Sequence, residues 1–201
     1  QYQDYAYWQH TYLQQGELAR QLSYWQTQLQ GFETLNLPLD HPRPEQLSYV
    51  GKNLNQVVKA TTTKKLKALA RAHSVTLYTL LLSVFNVLLH RYSGQTDITL
   101  GSPAANRTSY DTQDLIGFFV NAQPIRNQLD PVSKFDEFLA QVHNTVIKAQ
   151  AHQDVPFESI VEHLSLERDA SRHPIFQVMF SVQNFGEEAN KSAFFTPIDV
   201  D

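Results

Sequence analysis

The stretch TLYTLLLSVFNVLLHRY, residues 76–92, decides the predicted fold of this 201-residue chain. Its leucines recur at the spacing of one helical face and its other apolar residues widen that face, a pattern typical of a core helix. We therefore expect Leu81 and Val84 to be buried. Gly94 follows as a typical C-terminal stop, and residues 97–104 predict a strand directly after it. This helix is the expected core of the domain.

Helices and strands alternate on both sides of this central helix. Further helices are predicted over residues 9–30 and 61–73, from Ser133 as an N-cap, and from Pro156 as a first helical residue. Further strands are predicted over residues 51–60, 119–129 and 176–182, and Pro124 marks the second of these as an edge or bulged strand. The alternation predicts an α/β (α+β) fold in which helices pack on one side of a mixed β-sheet.

Composition and charge exclude several classes of site. The chain has no cysteine, which excludes a disulfide framework, a thiolate zinc site and a cysteine nucleophile. Its formal net charge is −4, and its 16 basic and 20 acidic residues are interpreted as interleaved, so nucleic acid and an anionic membrane are not expected partners. The longest apolar stretch is too short and too polar for a membrane span. These features predict a globular, cytoplasmic domain.

The residues alone do not form a recognisable catalytic site. The eight histidines include no pair at the i, i+4 spacing of a helical zinc site. A glycine-rich phosphate loop, a Gly-x-Ser-x-Gly elbow and a Ser-x-x-Lys motif are also missing from the sequence. The sequence therefore predicts neither a metal site nor a nucleotide site.

Three polar segments leave a structural and a functional interpretation open. Asn121 and Gln123 share one face of an apolar strand, where they are either internally bonded amides or donors that line a polar channel. Residues 152–158 are either the N-terminal cap of a helix or part of a site. Residues 168–172 are either a loop with local ion pairs or organisers of a site.

Five segments together resemble the core motifs of condensation domains in non-ribosomal peptide synthetases. They are YQDYAYWQ (residues 2–9), GSPAANR (101–107), IGFFVNAQPIR (116–126), HQDVPFE (152–158) and RDASRHP (168–174), and they stand in the family's order. Two departures are His173, where Asn is usual, and Ala122, where Thr is frequent. On these motifs the chain is identified as a member of that family, within the chloramphenicol-acetyltransferase-like superfamily.

The resemblance implies a domain of two chloramphenicol-acetyltransferase-like lobes with a tunnel between them. Residues 1–45 would be a lobe-linking helix and a Pro-rich connector, and residues 46–201 a C-terminal lobe that is incomplete at its C-terminal end. The family's His-His-x-x-x-Asp-Gly motif is absent from the sequence. No primary catalytic residue is therefore expected in this chain, and the isolated fragment is expected to be inactive.

The activity implied by the resemblance is the formation of an amide bond between a donor acyl or peptidyl thioester and an acceptor aminoacyl thioester. The implied partners are the N-terminal lobe of the same domain, upstream and downstream peptidyl carrier proteins, and an adjacent adenylation domain. No cofactor is expected to bind directly, because the carrier proteins deliver the 4'-phosphopantetheine arms. Two alternatives stay open: a non-catalytic, carrier-binding scaffold lobe, and an epimerization-type relative.

The resemblance also implies which residues shape the site. Asn121 and Gln123 are the substrate-tunnel candidates. The residues expected to organise the site around them are Asp4, Trp8, Arg107, Arg126, Gln153, Arg168, Asp169 and Arg172.

Overall fold

The computed structural model describes residues 1–46, 50–107, 109–166 and 169–183, which contain six α-helices and two β-strands. In chain order these are α1 (Tyr2–Tyr12), α2 (Leu18–Leu29), α3 (Ala60–Ala72), α4 (Leu77–Ser93), β1 (Asp97–Ala104), β2 (Asn121–Gln128), α5 (Phe135–Gln150) and α6 (Phe157–Leu164). α4 and α5 pack against each other and against the two strands, and α6 contacts both α2 and β2. The predicted α/β class is confirmed.

The central helix begins and ends where its local sequence indicates. The Thr76 hydroxyl accepts a hydrogen bond from the backbone N–H of Thr79 at 3.0 Å, which caps the first turn of α4. Gly94 adopts the left-handed conformation (φ 73°) and donates its N–H to the carbonyl of His90 at 2.8 Å. A residue without a Cβ adopts this conformation at little cost, so the helix stops there.

The buried face of α4 differs from the predicted one. Leu82 is fully buried, whereas Val84 is 47% exposed and Leu81 is only half-buried. The prediction that Leu81 and Val84 are buried is therefore wrong. Ser83 and Asn86 are fully buried instead, and each donates to the backbone carbonyl one turn earlier at 2.8 Å. Because these bonds satisfy a donor of each polar side chain within the helix, α4 can turn its polar side towards the core.

The sheet has the predicted mixed character. β1 pairs with β2 in antiparallel register, from Asp97 opposite Gln128 to Ala104 opposite Asn121. On the other side of β1, Gly101 donates its N–H to a carbonyl of the 178–180 segment at 2.9 Å and accepts an N–H from it at 2.8 Å, in a parallel bridge. The strand predicted over residues 176–182 is reduced to this contact. Among the described strands β2 pairs only with β1, as the edge position inferred from its proline requires.

Gly101 is required by a close approach of the core to β1. A Cβ at this position would overlap the ring of Phe176. Phe176 is itself buried and packs in the main hydrophobic cluster, together with Trp25, Leu82 and Val142. A strand glycine therefore permits this aromatic ring to lie directly over the sheet backbone.

Two other predicted elements are also corrected. The helix predicted over residues 9–30 is broken by a wide turn at residues 13–17, where Gly16 has a φ of 103°. Residues 51–59 form neither helix nor strand, and Leu54 and Val57 are 88% and 93% exposed. A strand needs a neighbouring backbone to pair with, and none of the described strands lies beside this segment.

Helix boundaries near the C-terminal half shift by one residue. Lys134, not Ser133, is the N-cap of α5, and the Ser133 hydroxyl donates instead to the carbonyl of Asp130 at 2.9 Å. Pro156 is the N-cap of α6 rather than its first helical residue.

In the described residues no single helix is long and apolar enough to cross a membrane. α3 and α4 reach that length and apolarity only when taken together, and they are bent by 103° at their junction.

The core of α4 gives a direct test of which face is buried. Leu82→Ala should lower the free energy of unfolding by ~2–5 kcal/mol, because it empties a fully packed site. Val84→Ala, the matched truncation on the exposed side of the same helix, should lower it by less than about 1 kcal/mol. Urea unfolding of both variants measures the difference, and a larger loss for Val84→Ala would contradict this orientation of α4.

Candidate functional site

A cleft of about 660 Å³ opens where β1 ends and β2 begins. Its polar lining includes residues of three of the predicted motif segments and of the two central helices. These residues are Ser102, Asn106, Arg107, Gln123 and Gln153 of the motifs, Tyr78 of α4 and Gln150 of α5. The fold therefore brings together residues as far apart in the sequence as Tyr78 and Gln153.

The cleft offers mainly uncharged hydrogen-bonding groups. The Tyr78 hydroxyl donates to the Ser102 hydroxyl at 2.7 Å, and burial raises the pKa of Tyr78, so this phenol stays neutral. Gln123 is only 5% exposed and donates one amide hydrogen to the carbonyl of Ala149 at 3.2 Å. The side-chain amides of Gln150 and Gln153 make no hydrogen bond within the described part of the chain, so their donors and acceptors are available to a ligand.

Arg107 is the single charged residue among the described residues that line the cleft. Its guanidinium donates to the carbonyls of Thr112 and Gln113, and it lies 4.2 Å from the centroid of the Phe119 ring. A cation above an aromatic face is stabilised by the ring's quadrupole. Arg107 thus holds the loop after β1 at the edge of the cleft through bonds from a single guanidinium nitrogen, Nη1.

Asn121, the first residue of β2, binds the backbone that leads into α6. Its amide nitrogen donates to the carbonyls of Gln153 and Val155 at 2.9 and 2.8 Å. Its oxygen accepts the backbone N–H of Phe157 at 3.1 Å. Both amide hydrogens are therefore used inside the protein, and the role of Asn121 as a tunnel-wall donor stays a prediction.

The opposite side of the same backbone is bound by α2. Gln21 is fully buried, and its oxygen accepts the N–H groups of Asp154 and Val155, both at 3.0 Å, while its nitrogen donates to the Asp154 carboxylate at 2.9 Å. The Trp25 indole donates to the carbonyl of His152 at 2.9 Å. Gln21 was not among the predicted site residues, although a polar residue at helical spacing within the apolar row of α2 was a usable signal.

Both ring nitrogens of His152 have hydrogen-bond partners. Its Nδ1 lies 2.7 Å from the carbonyl of Lys148, and a carbonyl can only accept, so Nδ1 carries the proton. Its Nε2 lies 3.0 Å from Nη1 of Arg20 and therefore acts as the acceptor. The ring stacks on Tyr24 at a centroid distance of 3.9 Å, and burial raises the pKa of Tyr24 to about 12. Both ring nitrogens are engaged, which gives His152 a structural role in this fold.

Arg126 joins the sheet to the C-terminal end of α2 and does not line the cleft. Its guanidinium forms a bidentate pair with Asp97, with the shortest contact at 2.6 Å, and both side chains are about 10% exposed. It also donates to the carbonyls of Gln28, Gln30 and Gly31 at 3.0, 2.7 and 3.3 Å. A cation is favourable at a helix C-terminus because the last carbonyls there lack partners.

The remaining predicted site organisers in the described part of the chain lie away from the cleft. Asp4 and Trp8 are on α1, where Trp8 is half exposed and stacks on Tyr12 at 5.2 Å. Arg172 donates to the side-chain oxygen of Asn36 at 2.7 Å and so joins its loop to the Pro-rich connector. Arg168 lies outside the described residues.

Asp169 organises its own loop by a local hydrogen-bonded turn. Its carboxylate accepts the backbone N–H of Ser171 at 2.8 Å and the Ser171 hydroxyl at 2.6 Å. These bonds hold the pKa of Asp169 below its usual range. Its carboxylate is also 3.7 Å from Nε of Arg172, so the loop matches the structural interpretation of this segment.

His173 lies between two aromatic rings. Its ring centroid is 5.2 Å from that of Phe157 and 4.2 Å from that of Phe176. Desolvation in this position lowers the pKa of His173, because burial disfavours the charged imidazolium. This residue thus joins the start of α6 to the ring that covers Gly101.

Comparison with known proteins points to the same family. Residues 1–197 match the family model described as Condensation domain. A linear gramicidin synthase of Brevibacillus parabrevis is 44% identical over 191 residues, which are 94% of this chain and 4% of that protein. N-(5-amino-5-carboxypentanoyl)-L-cysteinyl-D-valine synthase of Amycolatopsis lactamdurans is 38% identical over 196 residues, 98% of this chain and 5% of that protein. The chain thus spans a small part of the curated relatives it matches.

Solved structures show the same arrangement of elements. The X-domain from teicoplanin biosynthesis superposes with a TM-score of 0.82 at 30% identity, over 89% of this chain and 41% of that one. A four-domain nonribosomal peptide synthetase bound to AMP and glycine superposes with a TM-score of 0.82 at 28% identity, over 90% of this chain and 14% of that one.

The contacts of Asn121 predict a large effect on stability. Asn121→Ala removes three hydrogen bonds to the backbone of residues 153–157 and should lower the free energy of unfolding by ~1–3 kcal/mol or more. Gln128→Ala, an exposed position on the same strand, should have little effect. Urea unfolding gives both values, and an unchanged midpoint for Asn121→Ala would refute the structural role. Turnover per folded molecule in a complete domain then measures any additional role in the tunnel.

The environment of His173 predicts a pH dependence with a defined sign. Because the folded-state pKa is lower than the unfolded value of about 6.5, the native state takes up this proton less readily. Above the unfolded pKa the imidazole is neutral in both states, so the shift costs no stability. As the pH falls from there towards the folded pKa, the unfolded state binds the proton more readily and the free energy of unfolding decreases. The His173→Asn variant should therefore lose less stability than the parent when the pH is lowered from about 7.5 to about 5.5 in urea titrations. An identical pH dependence in both proteins would contradict the prediction.

Proposed function

The chain belongs to the condensation-domain family, and we propose that it forms part of an enzyme that joins two carrier-bound acyl groups through an amide bond. In that reaction the acceptor amine attacks the carbonyl carbon of the donor thioester. The new C–N bond forms, the C–S bond breaks, and the amine proton is lost while the released thiolate gains one. The chain would supply one wall of the reaction chamber, opposite an N-terminal lobe of the same domain.

The observation that carries this proposal is the largely uncharged lining of the cleft, in which Arg107 is the one charged residue among those described. A thioester, an amide and the arm of a carrier protein are polar but uncharged along most of their length. The free amides of Gln150 and Gln153 both donate and accept, so they complement such groups without the desolvation cost of a buried charge. Gln123 adds an amide oxygen that makes no hydrogen bond within the described residues.

The proposed partners are those that membership of the condensation-domain family implies. Two peptidyl carrier proteins would present the donor and acceptor on 4'-phosphopantetheine arms, and an adenylation domain would adjoin the complete domain. The supporting motif residues Gln123 and Gln153 lie within the cleft, and Asn121 lies beside it. The division into a connector over residues 1–45 and a lobe from residue 46 is part of the same proposal.

A second candidate function is a docking lobe without chemistry of its own. The X-domain of teicoplanin biosynthesis, which superposes with a TM-score of 0.83 at 30% identity, is solved as a complex with OxyB. A likeness of this size supports a role in recruiting a partner protein as well as one in condensation. The two functions differ in whether changes inside the cleft alter the rate of amide formation.

Substitution of the free amides tests the proposal. Gln150→Ala/Gln153→Ala in a complete domain should slow condensation of two carrier-bound substrates by about tenfold, because lost contacts of ~1–3 kcal/mol correspond to about ten- to a hundredfold in rate. The melting temperature should change little, since neither amide bonds to the described protein. Asn144→Ala, at an exposed position on the same helix as Gln150 but outside the cleft, is the matched control. A double variant with the parent rate would favour the docking lobe.

A further inference from the structure

Charge is divided unevenly along this chain. Residues 46–96 contain seven of the 16 lysines and arginines and none of the 20 aspartates and glutamates. The rest of the chain therefore holds nine basic and all 20 acidic residues. The interpretation that charges interleave along the chain is wrong for this segment, which is a positively charged part of an acidic protein.

α3 displays three of its four basic residues on one exposed face. Lys64, Lys67 and Arg71 follow the i, i+3, i+7 spacing of a single helical face, and all three are exposed. We call these three residues the basic stripe. The opposite face of α3 packs through Leu66 and Ala70 against the neighbouring helices.

The basic stripe has no acidic partner in the described part of the chain. None of its three side chains makes a hydrogen bond or an ion pair there. The acidic residue paired beside α3 is Asp136, whose contact is with His73 at 3.8 Å. Like charges at these helical spacings repel each other, and the first turn of α3 has no acidic residue to favour its N-terminus. Arg71 is favoured by its place in the last turn of α3, but local helix energetics do not account for Lys64 and Lys67.

We propose that the basic stripe of α3 docks an acidic helix of a partner protein. Three positive charges along one helix face match carboxylates spaced along another. The exposed small residues Ala60 and Ala68 beside the stripe allow a second helix to approach closely.

Other occupants fit the surface less well. α3 contains no aromatic residue for stacking on nucleic-acid bases. A second copy of this chain would have to present another surface to the stripe, because the stripe cannot pair with itself, and such head-to-tail contacts do not close into a symmetric dimer. None of the stripe residues lines the cleft, so the docking surface is independent of the proposed condensation activity.

The experiment compares two variants of the complete domain with the same change in charge. The stripe variant is Lys64→Glu/Lys67→Glu/Arg71→Glu, and the matched control is Lys52→Glu/Lys59→Glu/Arg91→Glu, whose residues are also exposed. The probe is a labelled helical peptide with glutamates at i, i+4 and i+7, and fluorescence anisotropy measures its affinity at low salt. The stripe variant should bind at least about tenfold more weakly than the parent, and the control within about threefold, since long-range attraction alone changes equally in both.

Several outcomes would overturn the proposal. If the stripe variant and the control variant bind the peptide equally weakly, the attraction is only that between opposite net charges. The same conclusion follows if the parent binds a peptide with glutamates spread around the helix as tightly as the peptide with glutamates on one face. Tighter binding of duplex RNA or phosphatidylserine vesicles through the stripe would assign a different partner. Sedimentation of a parent self-complex that the stripe variant loses would assign a second copy of the chain. A glutamine version of the stripe variant, which keeps helix-forming side chains, ensures that lost binding does not reflect lost folding.

Discussion

The backbone of residues 152–157 is not paired within a β-sheet. The rest of the domain depends on how the polar groups of this segment are satisfied. Buried backbone donors and acceptors need partners. Here Asn121 supplies three hydrogen bonds from β2, Gln21 supplies two from α2 and a third to the Asp154 side chain, and the Trp25 indole supplies one more. Because these side chains come from different elements, their bonds fix the start of α6 relative to α2 and β2.

The same interactions determine the geometry of the cleft. Gln153 extends from the bound segment, and Gln123 follows Asn121 by two residues on β2, so both cleft amides are positioned by one set of contacts. At the other end of β2, Arg126 binds Asp97 and the last carbonyls of α2. β2 is therefore fixed at both ends by side chains, which compensates for its single strand neighbour in the described sheet. Five N–H donors in a planar group suit Arg126 to this position better than a lysine.

The sequence predicted those structural features that depend on residues close together in the chain. The extent of α4 followed from its periodicity and caps, but its buried face did not, because Ser83 and Asn86 bond within the helix and enter the core. The strand over residues 51–60 was wrong because a strand depends on a partner far away in the sequence. The motifs identified the segments that meet at the cleft. Their roles depended on contacts such as Gln21 with Asp154, 133 residues apart, which no local pattern contains.

The separation of charge from the cleft fits the proposed chemistry. An amine attacks a thioester only as the neutral base, and a nearby carboxylate would stabilise its protonated, unreactive form. No aspartate or glutamate is among the described residues that line the cleft, and the one cation among them, Arg107, disfavours an ammonium ion beside it. The donor carbonyl develops negative charge as the amine attacks, and amide N–H groups stabilise that charge without drawing a proton from the amine. Neutral amides therefore suit the proposed reaction, and the positive charge of α3 lies outside the cleft.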